Sequence, residues 1–189
     1  MTKFTALIDA CVLYPAPIRD LILQLATTGL FRARWTNRIH DEWIGSVLRD
    51  RPDLTLERLA RTRELMDAAA EDCLVAGYEH LIDSVMLPDP DDRHVVAAAF
   101  HARADAIVTY NLKDFPAEAL ARFDIEAIHP DDFLNFQLDL DEASVLISAQ
   151  RCRSRLKNPE IPVADYLDRL EALQLPKSVS RLRLYASIL

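Results

Sequence analysis

The sequence has little glycine, little cysteine and no long apolar run. Three glycines among 189 residues leave no glycine-rich loop of the kind that holds a nucleotide phosphate. The three scattered cysteines, Cys11, Cys73 and Cys152, form neither a disulfide framework nor a zinc cluster. No apolar stretch is long enough to span a bilayer, and the N-terminus lacks the layout of a signal peptide. The sequence therefore predicts a reduced, soluble, cytoplasmic protein with no membrane association.

The composition is that of a globular protein with an uneven charge. Half of the residues are hydrophobic and 28% are charged, and the net charge is −8. Residues 1–140 contain 14 basic and 24 acidic residues, whereas residues 141–189 contain 8 basic and 6 acidic ones. An acidic body does not attract nucleic acid through its overall field. A phosphate substrate would therefore need bound cations or a local basic surface.

One basic strip is available in the C-terminal part of the chain. Its members are Arg151, Arg153, Arg155 and Lys157. The strip is a candidate guide for a phosphate backbone, and a solvated helix face explains the same run of charges. Both interpretations stay open at this point.

Apolar runs and helical patterns alternate along the first two thirds of the sequence. The predicted strands are Phe4–Leu13, 31–35, Asp105–Thr109 and Ile125–Ile128. The predicted helices are 17–29, 36–51, 55–70, 78–86, 91–104 and 116–122. This alternation predicts an α/β fold, a three-layer α/β/α sandwich with a mainly parallel central sheet. Beyond residue 131 the pattern is helical only, so we expect a core domain over 1–138 and a helical C-terminal extension over 139–189.

Acidic side chains occur where the predicted strands end. Asp9 lies near the carboxyl end of the first strand, where an unpaired charge inside an apolar run would be costly. Asn111 and Asp114 follow the strand at 105–109, and the carboxyl ends of parallel strands are where ligands gather. Hydrogen bonds to the backbone would explain Asp9, and turn chemistry would explain Asn111 and Asp114, if each stood alone.

Two further acids lie on predicted helices. Asp92 precedes Val95, Val96 and Ala99 at helical spacing, so its carboxylate lies on the stripe that should face the sheet. Capping explains Asp89 or Asp91 better than it explains Asp92. Glu42 lies beside the apolar stripe of its helix, and an ion pair with Arg38, four residues earlier, is an equally good explanation.

Clustered carboxylates cannot all ionise without a neutralising cation. Because the candidates offer oxygen ligands and no His/Cys cluster, the fitting ion is Mg²⁺ or Mn²⁺. Such ions activate water and stabilise a leaving oxygen when phosphodiester bonds are cleaved. The pattern thus favours phosphodiester chemistry.

The chain resembles PIN-domain proteins, and among them the VapC-like ribonucleases that are toxins of bacterial toxin–antitoxin pairs. The resemblance covers about residues 3–135. It depends on the segments Leu7–Leu13, Asp41–Ile44, Asp89–Ala99 and Ala104–Phe115. The last two segments, with their spacing and the alanine-rich helix between them, are the most specific.

The resemblance implies an α/β/α sandwich and metal-dependent endonuclease activity on RNA. It assigns catalytic roles to Asp9, Glu42, Asp92 and Asn111, and metal binding to Asp9, Glu42, Asp92 and Asp114. The family usually has Asp at the fourth position, so Asn111 removes one charge there, and Asp114 is the candidate substitute. The resemblance also implies an RNA substrate and a small antitoxin partner that inserts a basic side chain among the carboxylates, whereas homodimerisation, common in the family, stays open.

The remaining polar and aromatic residues are expected to have structural roles. His94 and His101 are expected on the solvated side of their helix, and His40 as a satisfied, partly buried histidine. Cys11 is expected to be a packed thiol, and Thr109 is either an ordinary strand residue or a group that orients a metal-bound water. The aromatic residues expected in the core are Trp35, Trp43 and Phe100.

Two other functions compete with the ribonuclease. The first is a catalytically weakened PIN module that acts through protein–protein binding, since its fourth acid is Asn111. The second is a magnesium-dependent phosphohydrolase with Asp9 as nucleophile. The second Asp that such enzymes carry two residues later is Cys11 here, which counts against that alternative.

Overall fold

The computed structural model describes residues 3–189. Residues 1 and 2 lie outside this range. They are the start of the predicted core domain and of the N-terminal segment that lacks the layout of a signal peptide. The strands are β1 Thr5–Ile8, β2 Arg32–Arg34, β3 Ala106–Val108 and β4 Glu126–Ile128. The α-helices are α1 Ala10–Leu13, α2 Ala16–Ala26, α3 Asn37–Asp50, α4 Leu56–Ala69, α5 Arg93–His101, α6 Ala117–Leu120, α7 Pro130–Leu140, α8 Glu142–Ser154, α9 Val163–Glu171 and α10 Pro176–Arg183. Short 3₁₀ helices cover Glu79–Ser84, Pro90–Asp92, Leu112–Asp114 and Ala121–Phe123.

The four strands form one parallel sheet in the order β2-β1-β3-β4. β1 and β3 are the central strands, and Leu7, Ile8, Ile107 and Val108 are completely buried. A parallel sheet is covered on both faces, which is why these strands are apolar without alternation. The α/β class with a parallel sheet and C-terminal helices is confirmed.

The order of the strands places helices on both faces of the sheet. The chain passes from β1 to β2 on one side, and then returns past β1 to pair β3 on the other side. Since crossovers between parallel strands are right-handed, the helices of the two connections cover opposite faces. α2 packs near β2, and α5 packs on β1 and β3. This arrangement is the predicted α/β/α sandwich.

Capping residues determine where the elements begin. Thr36 and Thr55 accept hydrogen bonds from the backbone N–H groups of Ile39 and Arg58 and begin α3 and α4. Asp9 accepts from the backbone N–H of Ala10 at 2.7 Å and so begins α1. The predicted strand over Phe4–Leu13 is therefore wrong beyond Ile8, because the Asp9 cap turns the chain into a helix.

Three other local predictions are corrected by the structure. The segment predicted as a helix over 78–86 is a 3₁₀ helix, and the helix predicted over 91–104 is a 3₁₀ turn followed by α5. Phe100, predicted in the core, is 45% exposed, and its ring packs against the ring of Phe123. Trp35 and Trp43 are completely buried, as predicted.

The C-terminal helices pack against the sandwich and against one another. α8 lies along α2, and the Cys152 thiol contacts the Asp20 carbonyl oxygen at 3.5 Å. α7 packs on α8 and α10. Of the helices within residues 3–189, none combines the length and the apolar composition that crossing a membrane requires. The division at residue 138 stays a prediction.

Candidate active site

A cavity opens at the point of the sheet where the order of the strands reverses, between β1 and β3. β1 and β3 are neighbours, and the connections that follow them leave toward opposite sides. In open parallel sheets, such a switch point leaves a crevice beyond the carboxyl ends of the two strands. The cavity has a volume of about 370 Å³. It is lined by Asp9, Ala10, Cys11, Glu42, Asp92, Tyr110 and Asn111.

Asp9 is a buried carboxylate that the protein holds in one orientation. Its Oδ1 accepts from the Ala10 backbone N–H at 2.7 Å, and its Oδ2 accepts from the Thr109 hydroxyl at 2.8 Å and from the Cys11 thiol at 3.1 Å. The Asn111 backbone N–H donates to the Thr109 oxygen at 3.0 Å. This relay connects the end of β1 to the loop that follows β3, so Asp9 and Asn111 are positioned together.

Asp92 is the least satisfied acid of the cavity. The 3₁₀ turn before α5 is capped by Asp89, which accepts from the Asp91 backbone N–H at 2.9 Å. Within residues 3–189, the Asp92 side chain makes no capping hydrogen bond, and its buried Oδ2 has no partner. Burial raises the pKa of Asp92 to about 6, and the charges of Asp9, Asp89 and Asp114 contribute to this increase. Capping therefore does not explain this carboxylate.

Glu42 reaches the cavity from α3 and has one engaged oxygen. Its Oε1 lies 2.9 Å from Nε2 of His94 and 3.2 Å from Nε of Arg38. Burial opposes the ionisation of Glu42, but the hydrogen bonds and charges of His94 and Arg38 outweigh burial and lower its pKa. Both contacts involve Oε1, so in the described part of the chain Oε2 is the oxygen left for a ligand. The predicted pair with Arg38 is present, and His94 joins it.

The structure thus brings four of the five predicted site residues to one cavity. Asp9, Glu42, Asp92 and Asn111 line it, whereas Asp114 lies in the adjoining 3₁₀ helix and does not. Asp114 is nevertheless close enough for its charge to raise the pKa of Asp92. Across the described residues, no three His, Cys, Asp or Glu side chains are placed so that they could hold a metal ion. The acids surround one space without forming a closed coordination sphere.

His94 is the functional contact that the sequence analysis missed. The prediction placed it on the solvated side of α5, and this prediction is wrong because His94 is only 1% exposed and contacts Glu42. α5 is covered by the sheet on one side and by the 3₁₀ helix at 79–84 on the other. Residues 94–99 are therefore all buried, and helical spacing could not separate an inner from an outer face.

The other polar residues singled out in the sequence have structural roles, but two of them differ from the prediction: His40 is completely and not partly buried, and Thr109 orients Asp9. Burial and the charge of Asp9 raise the pKa of Cys11 to about 12, which keeps it a packed thiol and not a nucleophile. His40 is completely buried between the Trp43 indole N–H and the Asp67 carboxylate. Thr109 orients the carboxylate of Asp9 by direct contact.

The basic strip of the C-terminal part lies far from the cavity. Arg155 donates to Gln24 in the last turn of α2, whereas the cavity adjoins α1, just before the first turn of α2. From Ala16 to Gln24 the helix rises by about 12 Å along its axis. Arg153 donates to the carbonyl oxygens of Ile161 and Leu189. Arg153 and Arg155 are therefore engaged away from the acids.

The chemistry of the cavity fits a hard divalent cation. Carboxylate and amide oxygens are the ligands that Mg²⁺ and Mn²⁺ prefer, and several waters usually complete the shell of Mg²⁺. The unpartnered, buried oxygen of Asp92 and the free oxygen of Glu42 are two such donors. If a cation bound here, Asp92 and Glu42 would help to hold it, and its charge would offset those of Asp9, Asp89 and Asp114, which together with burial raise the pKa of Asp92.

Comparisons with known proteins identify the family of the chain. The PIN domain family model matches residues 5–113, and the model of the VapC50 C-terminal domain matches residues 130–184. A stretch of 66 residues is 56% identical to a protein of Mycobacterium tuberculosis (strain ATCC 25618 / H37Rv) named "Putative ribonuclease VapC50". That stretch covers 35% of this chain and 38% of the relative, which is well below two thirds of its length. No solved structure matches. Since the PIN domain model spans more than half of the sequence, the chain belongs to the PIN-domain family.

Proposed function

We propose that the protein is a metal-dependent endoribonuclease that hydrolyses phosphodiester bonds in single-stranded RNA. The unpartnered, buried oxygen of Asp92 in a cavity shared with Asp9 and Glu42 is the observation that carries the proposal. A buried carboxylate with a raised pKa and like-charged neighbours is a typical sign of a functional site. Membership of the PIN family and the similarity to a protein named as a ribonuclease support the same activity.

In this proposal, each acid has a defined part. Asp9 and Asp92 hold Mg²⁺ or Mn²⁺, and Glu42 binds the ion or positions the attacking water with its free Oε2. When bound, the cation neutralises the clustered charges and acidifies water. Thr109 keeps Asp9 in place, and the side chain of Asn111 completes the shell. Asp114 is the further ligand of this proposal, although it adjoins the cavity without lining it. Asn111 adds no charge, so a second ion would be held more weakly than the first.

RNA cleavage by matched variants tests these roles. We expect the wild type to cleave single-stranded RNA with Mg²⁺ and to lose that activity with EDTA. Asp9→Asn and Asp92→Asn should each lower the rate by about a hundredfold or more, because each removes one charged ligand. Asp91→Asn is the matched control, since Asp91 is exposed and next to Asp92 in sequence. Equal cleavage by all four proteins, with unchanged melting temperatures, would refute the assignment.

The competing role is that of a weakened module that acts by binding another protein. Asn111 at the fourth position is the observation that favours it. A metal that binds the native state must raise the melting temperature. Thermal unfolding with and without Mn²⁺ therefore separates the two: stabilisation that Asp92→Asn abolishes supports the nuclease, and no stabilisation together with no cleavage supports the binding module.

We further propose that the protein is the toxin of a toxin–antitoxin pair. Its partner would be a small antitoxin that inserts a basic side chain among the carboxylates, and homodimerisation belongs to the same proposal. The basis is the match of residues 130–184 to the VapC50 C-terminal domain, together with the 66-residue stretch that is 56% identical to the protein named "Putative ribonuclease VapC50". Expression should arrest growth, Asp92→Asn should not, and the product of a short neighbouring open reading frame should relieve the arrest and inhibit cleavage by the purified protein. Equal arrest by wild type and Asp92→Asn would contradict this role.

A further inference from the structure

A second groove continues from the acidic cavity along α3. It also has a volume of about 370 Å³. It shares Ala10, Cys11 and Glu42 with the acidic cavity. It then extends past Tyr14, Ser46, Arg49 and Asp50. The two spaces therefore form one continuous path with the acids at one end.

The path follows one face of α3 and one side of α1. Glu42, Ser46 and Arg49 are spaced by four and then three residues, so they lie in a row along the helix. At a rise of 1.5 Å per residue, Arg49 is about 10 Å from Glu42 along the helix axis. Tyr14, at the end of α1, forms the opposite wall. A group held at Arg49 is thus displaced from the acids but lies on the same path.

Arg49 differs from the other arginines of this surface in having no acidic partner. Arg38, Arg51 and Arg63 each form an ion pair with a carboxylate. Within residues 3–189, Arg49 forms no ion pair, and its guanidinium donates only to the Ser46 hydroxyl at 3.0 Å. It is exposed and lines the groove. A free guanidinium in a groove is suited to bind a phosphate.

Tyr14 supplies an aromatic surface at the same point. Its hydroxyl donates to Asp50 Oδ2 at 2.7 Å, which fixes the orientation of the ring. The contact also occupies an oxygen of the acid nearest to Arg49 in sequence. Proteins that bind single strands without strict sequence preference combine cations for the backbone with aromatic rings for the bases.

We infer that this groove binds the nucleotide next to the scissile phosphodiester of a single-stranded RNA, with its phosphate on Arg49 and its base on Tyr14. The inference rests on the proposed ribonuclease function. It adds the path that the bound RNA strand follows beyond the acidic cavity. It also accounts for how an acidic protein holds a polyanion. The guanidinium of Arg49 lies beside the acidic cavity, in contrast to the basic strip at 151–157. The structural alternative is that Arg49 only complements the carboxyl end of the α3 dipole.

Binding of RNA as a function of salt tests the phosphate contact. The probe is a fluorescent single-stranded RNA of randomised sequence, and its anisotropy is followed in the Asp92→Asn background, which binds without cleaving. Arg49→Ala should weaken binding about fivefold at low salt and lower the slope of log Kd against log salt by about 0.7, the value for one phosphate of a single strand. Arg49→Lys should retain most of that slope. The matched control is Arg51→Ala, which removes an exposed arginine that is paired with Asp53.

The aromatic contact is tested by a different signature. Tyr14→Leu should weaken binding about fivefold or more without changing the salt slope, because stacking does not release counterions. Tyr14→Phe retains the ring and should lose less than Tyr14→Leu. Melting temperatures show whether each variant is folded, and Arg49→Ala provides a second reading if Tyr14→Leu is not.

The outcomes separate this inference from the proposed function. If the wild type neither binds nor cleaves the RNA, the ribonuclease proposal fails and the groove has no substrate. If the wild type cleaves RNA and Arg49→Ala behaves like Arg51→Ala in affinity and salt slope, the groove assignment is overturned and the ribonuclease stands. A loss of affinity and slope confined to Arg49→Ala supports the groove.

Discussion

A buried histidine beside a carboxylate fixes one oxygen of that carboxylate and leaves the other free to act. His94 does this for Glu42, because its Nε2 contacts Oε1 of Glu42 and its ring is buried. The lowered pKa of Glu42 favours its ionised form, which can only accept hydrogen bonds. Nε2 of His94 must therefore carry the proton of this hydrogen bond. His94 is thus a positioning residue for Glu42 and does not itself reach the cavity.

We expect His94→Leu to lower the rate of RNA cleavage about tenfold or more, the usual cost of losing a group that orients a ligand. His94→Gln retains a donor and should lose less. Without the contact from His94, the pKa of Glu42 should rise, so the acid limb of the rate profile should shift to higher pH in His94→Leu. His101→Leu is the control, since His101 is an exposed histidine on the same helix. The same rate and profile in all variants would contradict the role.

The raised pKa of Asp92 makes the metal-free protein sensitive to pH. A carboxyl whose pKa is about 6 when folded and about 3.9 when unfolded stabilises the protein at low pH. That contribution is complete below about pH 4 and is lost as the pH rises through 6. The melting temperature of the metal-free protein should therefore fall between about pH 4 and pH 6. Asp92→Asn should remove this part of the fall.

Mn²⁺ reverses this effect only where the carboxyl is ionised. The stabilisation by Mn²⁺ should accordingly be larger at pH 7.5 than at pH 5, since protons compete with the metal for the same oxygens. Thermal unfolding at both pH values, with EDTA as the reference, measures it. A wild type and an Asp92→Asn variant with parallel pH dependence would show that Asp92 is not the group responsible.

At the level of single residues, the sequence predicted the acids better than their neighbours. Asp9 and Asn111 follow strands, and the parallel sheet brings strand ends together whatever the details of the packing. Asp92 was predicted because an acid on an apolar stripe has few structural explanations. His94 could not be predicted, because α5 is buried on opposite sides and spacing carries no information there. Arg49 gave no signal, since a single exposed arginine is common on any helix.

The elements show where local pattern and tertiary packing disagree. The run Phe4–Leu13 is mostly apolar and predicts a single strand, yet one capping hydrogen bond at Asp9 ends the strand and begins α1. That change of direction places Asp9 at the floor of the cavity and Tyr14 on the wall of the groove. The helix boundaries at Thr36 and Thr55 were predictable, because threonine capping depends only on local sequence.

α7 and α10 are joined by a buried carboxylate. Asp131 is 3% exposed and accepts from the backbone N–H groups of Lys177 at 2.9 Å and Ser178 at 2.8 Å. These are N–H groups of the first turn of α10, which have no partner within the helix. The carboxylate also lies at the positive end of the helix dipole.

We expect Asp131→Ala to lower the free energy of unfolding by about 2–3 kcal/mol, because two backbone donors, one of them buried, lose a charged acceptor. The control is the neighbouring substitution Asp132→Ala, which breaks only an exposed ion pair with Lys177 and should cost less than about 1 kcal/mol. Urea unfolding measures both values. Similar losses for the two variants would show that the cap does not join α7 to α10.

At the scale of the molecule, the negative charge and the proposed substrate are reconciled by position. The net charge of −8 repels RNA in general. Bound cations among the acids and one free arginine beside them would act locally, where the repulsion matters most. The sequence predicted the need for such local cations but not their place. The C-terminal strip and Arg49 are alike as basic residues in the sequence, and only the folded structure shows which of them lies near the cavity.

We propose that the PIN domain, predicted at 1–138, and the predicted extension at 139–189 unfold as one unit, since α8 packs along α2. Cys73 and Cys152 report on the two parts, because both thiols are buried and burial raises their pKa values to about 11 and about 12. In native protein, both should resist a pulse of iodoacetamide. In a urea series, both should become reactive at the same concentration as the fluorescence of Trp35 and Trp43 changes. Mass spectrometry of the labelled peptides shows at which urea concentration each thiol reacts. If the Cys152 thiol reacts at a lower urea concentration than the Cys73 thiol, the extension unfolds by itself.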